Sequence, residues 1–336
     1  MRICVVGAGA IGGLMGAKLA LAGEEVTVVD QGAHLAAIKK AGLKLIWEDG
    51  TEHVAPVALA TDKVAEAGPQ DLVILALKAH YLESVARQIS AIVGPDTMIV
   101  PVQNGIPWWY FHKHGGEFDG RRLDSLDPGG VLGRNIDGDR IIGCVVYPAA
   151  TVSEPGVIHH VEGDRFPIGE LDGTETQRVQ ILFDVLVKAG FRSRILDDIR
   201  SEIWLKAWGN LSFNPISAVT HATLVDICQY APTRRLAESM MREAQIIGEA
   251  LGITFRHTID KRIAGAESVG AHKTSMLQDV EAGRSLETEA LIGAILELGK
   301  LTKTPAPSIE AIYACVGLLN KIMVLQGAGV RVNRVA

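Results

Sequence analysis

Lys206, Asn210 and Asn214 fall four residues apart in the segment Ser201-Glu202-Ile203-Trp204-Leu205-Lys206-Ala207-Trp208-Gly209-Asn210-Leu211-Ser212-Phe213-Asn214-Pro215. At about 3.6 residues per turn this spacing puts all three on one side of a helix. One ammonium and two amides would line a groove there. The lysine could stabilise negative charge and give up a proton, and the amides could hold polar groups of a small molecule. Asn is a poor helix former, so two of them in an otherwise apolar helix call for a reason beyond local propensity. A polar stripe on a solvated face is the plain alternative, and Pro215 supplies a structural reason for Asn214 by kinking the helix.

A second constellation opens the chain. Gly7-Ala8-Gly9-Ala10-Ile11-Gly12 fits G-x-G-x-x-G, where the glycines make a tight turn, let a pyrophosphate approach and let helix and strand pack closely. It follows an apolar run, opens a helix and is trailed by Asp30 at the end of the next apolar run. A dinucleotide site requires that context. Asp30 can accept hydrogen bonds from the ribose hydroxyls of NADH, whereas a 2′-phosphate would bring two anions together, and Gln31 to His34 include no arginine to neutralise it. NADH is therefore expected over NADPH. Lys78 and Asn104 each follow a strand, at the carboxyl edge where open α/β sheets bind ligands, and both could face the nicotinamide end; a solvated lysine has the same spacing. Farther on, His272-Lys273-Thr274-Ser275-Met276-Leu277-Gln278-Asp279 precedes Arg284-Ser285-Leu286-Glu287. A hydroxyl and a carboxylate from this stretch could converge on a bound molecule, although spacing alone favours a loop capped by Ser275 before a helix start rich in acids.

These residues need a scaffold. Ile3 to Val6 reads as a strand, Ala10 to Ala22 as a helix stopped by Gly23, and Val26 to Val29 as a second strand, so the chain begins with a βαβ unit. Gly42 to Glu48 and Glu52 to Val57 flank Asp49-Gly50, a pair suited to a type I′ hairpin. A buried strand over Asp71 to Leu77, a helix over Tyr81 to Ile92 and a strand over Thr97 to Val102 extend the sheet. Residues 107–138 read as a long insertion. Arg140 to Tyr147, Val157 to Glu162 and Phe166 to Gly169 look like antiparallel strands, and Thr174 opens a helix to Gly190 in a capping box with Gln177. Beyond Asp197-Asp198 nearly everything has helical periodicity, including Arg234 to Leu251, Glu287 to Leu301 and Ile309 to Leu325. The expected fold is a Rossmann-type parallel-sheet domain, residues 1–197, followed by an all-α domain, residues 198–336, for substrate and dimerisation.

Composition narrows the function classes. At 336 residues the chain is long enough for two domains, and 48% hydrophobic against 21% charged residues, with mean hydropathy +0.20, excludes a disordered chain. The 33 basic and 39 acidic residues give a net charge of −6, with no basic block for a nucleic acid. Cys4, Cys144, Cys228 and Cys315 form no C-x-x-C pair, so neither a disulfide framework nor a metal site is expected. Glycines interrupt the apolar N-terminus, and no other segment of membrane-spanning length is free of charges. A cytoplasmic protein with no membrane partner is expected.

Taken together, the segments resemble the ketopantoate reductase (2-dehydropantoate 2-reductase) family from Ile3 to about Leu325. The resemblance rests on the Gly7/Gly9/Gly12 fingerprint, Leu77-Lys78-Ala79, Gln103-Asn104-Gly105, the Lys206/Asn210/Asn214-Pro215 helix, Thr274-Ser275-Met276-Leu277-Gln278-Asp279, and Glu287. It implies reduction of a 2-oxo acid to the 2-hydroxy acid by NADPH, often in a homodimer. It makes Lys206 the general acid and Glu287 the residue that orients the substrate hydroxyl and the lysine. Asn210, Asn214 and Ser275 would hold the substrate, and Lys78 and Asn104 would sit by the nicotinamide. Three features depart from the pattern: Asp30-Gln31 where members commonly carry a basic residue, His272 where many have an asparagine, and a longer, more aromatic stretch from Trp108 to Pro128. With them a bulky or aromatic 2-oxo acid becomes a candidate, with His272 a donor for its carboxylate. Another carbonyl or imine substrate, or a regulatory protein that binds NAD(P) without turnover, remain alternatives.

Overall fold

Strand β1 (Arg2–Val6) is buried on both faces from Ile3 onward, as a strand inside a parallel sheet must be. It leads through the glycine turn into α1 (Ala10–Leu21) and then β2 (Glu25–Val29), which pairs parallel to β1 in the register Ile3 to Val26. The chain continues through α2 (Gly32–Ala41), β3 (Leu43–Ile46), β4 (Glu52–Ala55), β5 (Leu59–Thr61), β6 (Gln70–Leu75), α3 (Leu82–Ile89) and β7 (Val93–Pro101). The computed structural model describes residues 1–332. They fall into two compact units, Met1–Asn104 with Trp108–Ile199, and Gly105–Pro107 with the chain from Arg200 onward.

The main sheet of the first unit is parallel throughout, in the order β5-β2-β1-β6-β7. The chain winds outward on one side of β1 and then crosses to the other, so the carboxyl ends of β1 and β6 form the switch point where such sheets leave room for a ligand. Two smaller sheets complete the unit. One, β4-β3-β10-β9, adds β9 (Ala149–Glu154) and β10 (Val157–Glu162); the other, β12-β11-β8, comprises β8 (Ile142–Cys144), β11 (Arg165–Glu170) and β12 (Arg192–Ile195). Helix α1 lies against both the main sheet and the first of these. Gly16 faces Val5, Val26 and Val28, while a Cβ on Gly13 would stand 2.5 Å from Ile158.

Several expectations need correction. The hairpin around Asp49-Gly50 pairs Ile46 with Glu52, so five residues close it rather than two. The Trp47 N–H donates to Thr51 O, and Asp49 turns its carboxylate back to the Thr51 N–H at 2.9 Å. Residues 140–169 are only partly antiparallel, because β10 also pairs parallel with β3, and β11 with β12. The helix expected from Thr174 is α5 (Gln177–Lys188), capped by Thr176, whose Oγ1 accepts the Val179 N–H at 3.3 Å. Thr174 is occupied instead with Asp172, to which its hydroxyl and N–H both donate. Thr176 won the cap because its hydroxyl also donates to Glu170, which is buried and gripped by Arg178.

Residues 107–138 hold a short helix, α4 (Val131–Asn135), and turns above a buried aromatic cluster of Trp108, Trp109, Tyr110 and Phe111. Near the end of α1, buried Lys18 donates to Gly190 O at 2.9 Å and sits 4.3 Å above the Phe191 ring. Loss of water pushes its ammonium below the ordinary lysine range.

The second unit is helical: α6 (Ile199–Thr220), α7 (Leu224–Gln229), α8 (Ala231–Ala250), α9 (Ile259–Ser268), α10 (Ser275–Glu281), α11 (Ala294–Leu301) and α12 (Pro307–Gln326). Helix α6 runs through Pro215 as one element, so the proline does not end it. Trp204 and Trp208 are wholly buried, and the Trp208 indole donates to Met241 O at 2.6 Å, tying α6 to α8. A π-helical turn, Glu289–Gly293, precedes α11; periodicity read as one α-helix from Glu287 does not reveal it. Helix α12 is 20 residues long with mean hydropathy 1.5, the length and composition of a membrane span, but carries Glu310 and Lys321.

The corrected cap gives a direct test. Thr176→Ala removes an N-cap and a donor to buried Glu170 and should cost about 1–2 kcal/mol in urea unfolding, whereas Thr174→Ala should stay within about 0.5 kcal/mol of wild type.

Candidate active site

The glycine turn is shaped by three different demands. Gly7 has φ +97°, a left-handed conformation, and a Cβ there would stand 2.8 Å from Leu77 Cδ2. A Cβ on Gly12 would lie 1.8 Å from Gly7 O, so helix and turn can meet only if residue 12 has no side chain. Gly9 differs: nothing lies within 4 Å of where its Cβ would stand, and the open side belongs to whatever approaches the turn. Ala10 and Ile11 begin α1, whose N-cap, Gly9, offers no side chain, and the first turn has no acidic residue. The Gly13 N–H is taken by Gly9 O at 2.6 Å, which leaves the preceding N–H groups as a helix N-terminus of the kind that binds anions.

Asp30 reaches back to this turn. Its Oδ2 accepts the Ala8 N–H at 2.8 Å and its Oδ1 the Gln31 N–H at 2.7 Å. His34, which the sequence did not single out, grips the other end of the same residue, with Nε2 2.9 Å from Ala8 O. The Gly156 N–H donates to His34 Nδ1 at 3.0 Å, so Nε2 carries the proton and donates to Ala8 O. Its place on α2, four residues after Asp30, was the available signal.

At the carboxyl edge of the same sheet, half-buried Lys78 lies three residues beyond β6, and its carbonyl accepts the Tyr81 N–H at 2.9 Å. Asn104, also half-buried, follows β7. Between them Gln103 acts as a clasp, its Nε2 donating to Leu75 O at 2.6 Å and Leu77 O at 3.0 Å. It fixes the backbone that presents Lys78. Its position beside Asn104 was visible in the sequence; its reach to β6 was not.

In the second unit, α6 carries Lys206 and Asn210, both half-buried, and Asn214, 6% exposed. The opposite face holds Trp204, Trp208 and Leu211, all wholly buried, and on the stripe itself Asn214 is buried as well. Asn214 Nδ2 lies 3.5 Å from Ser275 Oγ, which brings together two motifs sixty residues apart in the chain. Ser275 is the first residue of α10 and does not cap it; Thr274 does, accepting the Leu277 N–H at 3.3 Å. This leaves the Ser275 hydroxyl available to face Asn214. His272 is half-buried on the loop before α10, where its carbonyl accepts the Leu224 N–H.

Glu287 is half-buried just ahead of the π-helical turn, and its carbonyl accepts the Leu291 N–H at 3.1 Å. The wider turn spares the carbonyl of Ala290, which takes the Ile106 N–H at 2.9 Å. Gly105, φ +84°, lies so close that a Cβ there would stand 2.1 Å from that oxygen. Among the described residues no group of three His, Cys, Asp or Glu side chains could hold a metal ion.

Comparison with known proteins adds an independent line. The profile described as "Ketopantoate reductase PanE/ApbA" matches residues 3–173, and "Ketopantoate reductase PanE/ApbA C terminal" matches residues 198–320. The chain belongs to the ketopantoate reductase family. It is therefore an oxidoreductase. The 2-dehydropantoate 2-reductase of Mesorhizobium japonicum is 54% identical over 317 residues, 94% of this chain and 97% of that one. A protein of Ralstonia solanacearum MolK2, provisionally assigned as a ketopantoate reductase, superposes with TM-score 0.91 at 38% identity, covering 96% of this chain and 98% of its own. D-mandelate dehydrogenase, solved with NADH and anilino(oxo)acetate, shares the fold at TM-score 0.82 and 22% identity, covering 96% and 99% of the two chains.

The turn of this ketopantoate reductase homologue yields a paired prediction. Gly12→Ala should lower the thermal midpoint strongly, by the equivalent of about 3 kcal/mol or more, because backbone rather than a flexible side chain blocks the new Cβ. Gly9→Ala, at an allowed φ of −62°, should unfold within about 0.5 kcal/mol of wild type.

Proposed function

We propose that the protein reduces a 2-oxo acid to the 2-hydroxy acid with a nicotinamide dinucleotide, NADH in preference to NADPH, and that Lys206 is the general acid. The observation that carries the reading is the approach of the Asn214 amide to the Ser275 hydroxyl, which gathers the polar stripe of α6 and the start of α10 into one patch. A 2-oxo acid presents a carboxylate and a ketone oxygen, and a patch of amides, hydroxyl and ammonium suits both.

The residues of the glycine turn fit the dinucleotide. The open side of Gly9 and the uncapped start of α1 suit a pyrophosphate, with Gly7, Gly9, Ala10, Ile11 and Gly12 as its cradle. Lys78 and Asn104 are assigned to the nicotinamide end. Each oxygen of Asp30 accepts one backbone N–H and retains a lone pair for a ribose hydroxyl, whereas its charge repels a 2′-phosphate. The same carboxylate thus shapes the turn and selects the cofactor.

When bound, the reduced dinucleotide supplies hydride to the ketone carbon. Lys206 holds the ketone oxygen and hands it a proton as negative charge grows there, since a lysine ammonium ordinarily keeps its proton at neutral pH. Glu287 orients the ammonium and the new hydroxyl. Asn210, Asn214 and Ser275 hold the substrate, and His272 meets its carboxylate. Steady-state reduction of 2-dehydropantoate and of bulkier 2-oxo acids tests the substrate class. Turnover of none of them, with dinucleotide binding intact, points to the regulatory alternative.

Lys206→Ala should fold normally and lose roughly 10²–10⁴ in kcat. Near-normal turnover removes the lysine from the chemistry. In the wild-type enzyme kcat/KM should be higher with NADH than with NADPH, and the reverse order overturns the reading of Asp30. Gly9→Ala should weaken NADH binding while leaving the fold intact.

A further inference from the structure

Residues 108–138 are not absorbed by the reading above, and they form a cavity of their own. It is open, about 430 Å³ in volume, and its wall includes Trp108, Trp109, His112, Arg121, Arg122 and Arg134. That size accommodates a small ligand, since such sites commonly span roughly 300–1,000 Å³. Beneath it the ring cluster that begins with Trp108 and Trp109 is buried, so the floor is rigid and apolar while the rim is cationic.

The arginines are placed in an unusual way. Arg122 Nη1 and Arg134 Nη1 both close over Gly130, standing 2.8 and 2.9 Å from the spot where its Cβ would be. Gly130 has φ +71°, so the residue that lets the two guanidiniums converge is also the one its backbone conformation favours. Two like charges drawn together raise the free energy unless an anion lies between or beside them. Arg122 is paired with Asp124 at 2.6 Å, but Arg134 donates to the carbonyl of Gly129, and neither Arg134 nor Arg121 has a carboxylate partner among the described residues.

The two carboxylates in the wall are committed elsewhere. Asp127, 2% exposed, accepts the Leu132 N–H at 2.7 Å and the Gly133 N–H at 3.0 Å. Asp137 accepts the Asp139 N–H and faces Arg140 at 3.4 Å. A wall with surplus guanidinium donors lacks acceptors, and acceptors are what a carboxylate or phosphate brings.

We propose that this cavity is a second binding site, separate from the glycine turn and the α6 stripe, for a small organic oxyanion whose carboxylate or phosphate head meets Arg121, Arg122 and Arg134 and whose apolar body rests on Trp108. Arginine rather than lysine at all three positions suits a forked head group.

The probes are benzoate and phenyl phosphate, with benzamide as the uncharged control, titrated calorimetrically into the full chain with and without NADH. At least one anion should bind with a Kd of about 1 mM or tighter, with the tighter of the two naming the head group, and benzamide should not bind. Arg121→Ala/Arg134→Ala should weaken binding tenfold or more with turnover of the 2-oxo acid unchanged. Arg134→Lys, which keeps the charge but not the fork, should weaken it too, so the test survives a double variant that folds poorly. Lys206→Ala should bind the anion as wild type does. The proposal is overturned if neither anion binds, if the folded arginine variants bind as wild type does, or if binding disappears with NADH or in Lys206→Ala, since the anion then occupies the turn or the α6 patch.

Discussion

The backbone of Ala8 is held at both ends. Asp30 accepts its N–H and His34 donates to its carbonyl, while Gly156 fixes the ring of His34 from behind. This clamp joins the ends of β1 and β2, the first turn of α2 and the loop before β10, and it sets the direction in which α1 leaves the sheet. A glycine-rich turn is flexible on its own, and preorganising it requires partners for backbone groups that the turn leaves unpaired. Two side-chain hydrogen bonds supply them here, and a third holds the His34 ring. The clearance between Gly12 and Gly7 and the open side of Gly9 follow from where the clamp holds the chain.

The helical unit solves a related problem by different means. Two asparagines and an internal proline weaken a helix, and α6 holds its shape through Trp204 and Trp208, with the second indole bonded to α8. Burying the face opposite the stripe fixes the rotation of the helix, and rotation decides that Asn214 meets Ser275. The π-helical turn beyond Glu287 acts likewise: one widened turn leaves the Ala290 carbonyl to accept the Ile106 N–H.

Much of this was legible in the residues. Apolar runs located β1, β2, β6 and β7, the glycine spacing located the turn, and the helical periods of α8 and α12 were correct to within a few residues. The signals that failed were those decided by tertiary partners. Both Thr174 and Thr176 offer a capping hydroxyl, and the choice fell to the one that reaches Glu170, which lies on another strand. Short strands such as β5, β9 and β12 carry few apolar residues and exist because a neighbour offers a ladder. His34 and Gln103 looked like ordinary polar residues, since their roles lie in backbone groups far along the chain. The polar rim of the 108–138 cavity was hidden for the same reason, because Arg122 and Arg134 converge only once Gly130 has turned the backbone between them.

The emptiness beside Gly9 has a consequence for inheritance. Folding places no demand on that position, so an alanine or serine there would give a chain that ripens fully, resists proteases and accumulates to ordinary levels. Cellular surveillance reads stability and would let it pass. Damage at Gly12 announces itself by degradation; if Gly9 cradles the dinucleotide as proposed, damage there would persist as a well-made but idle protein.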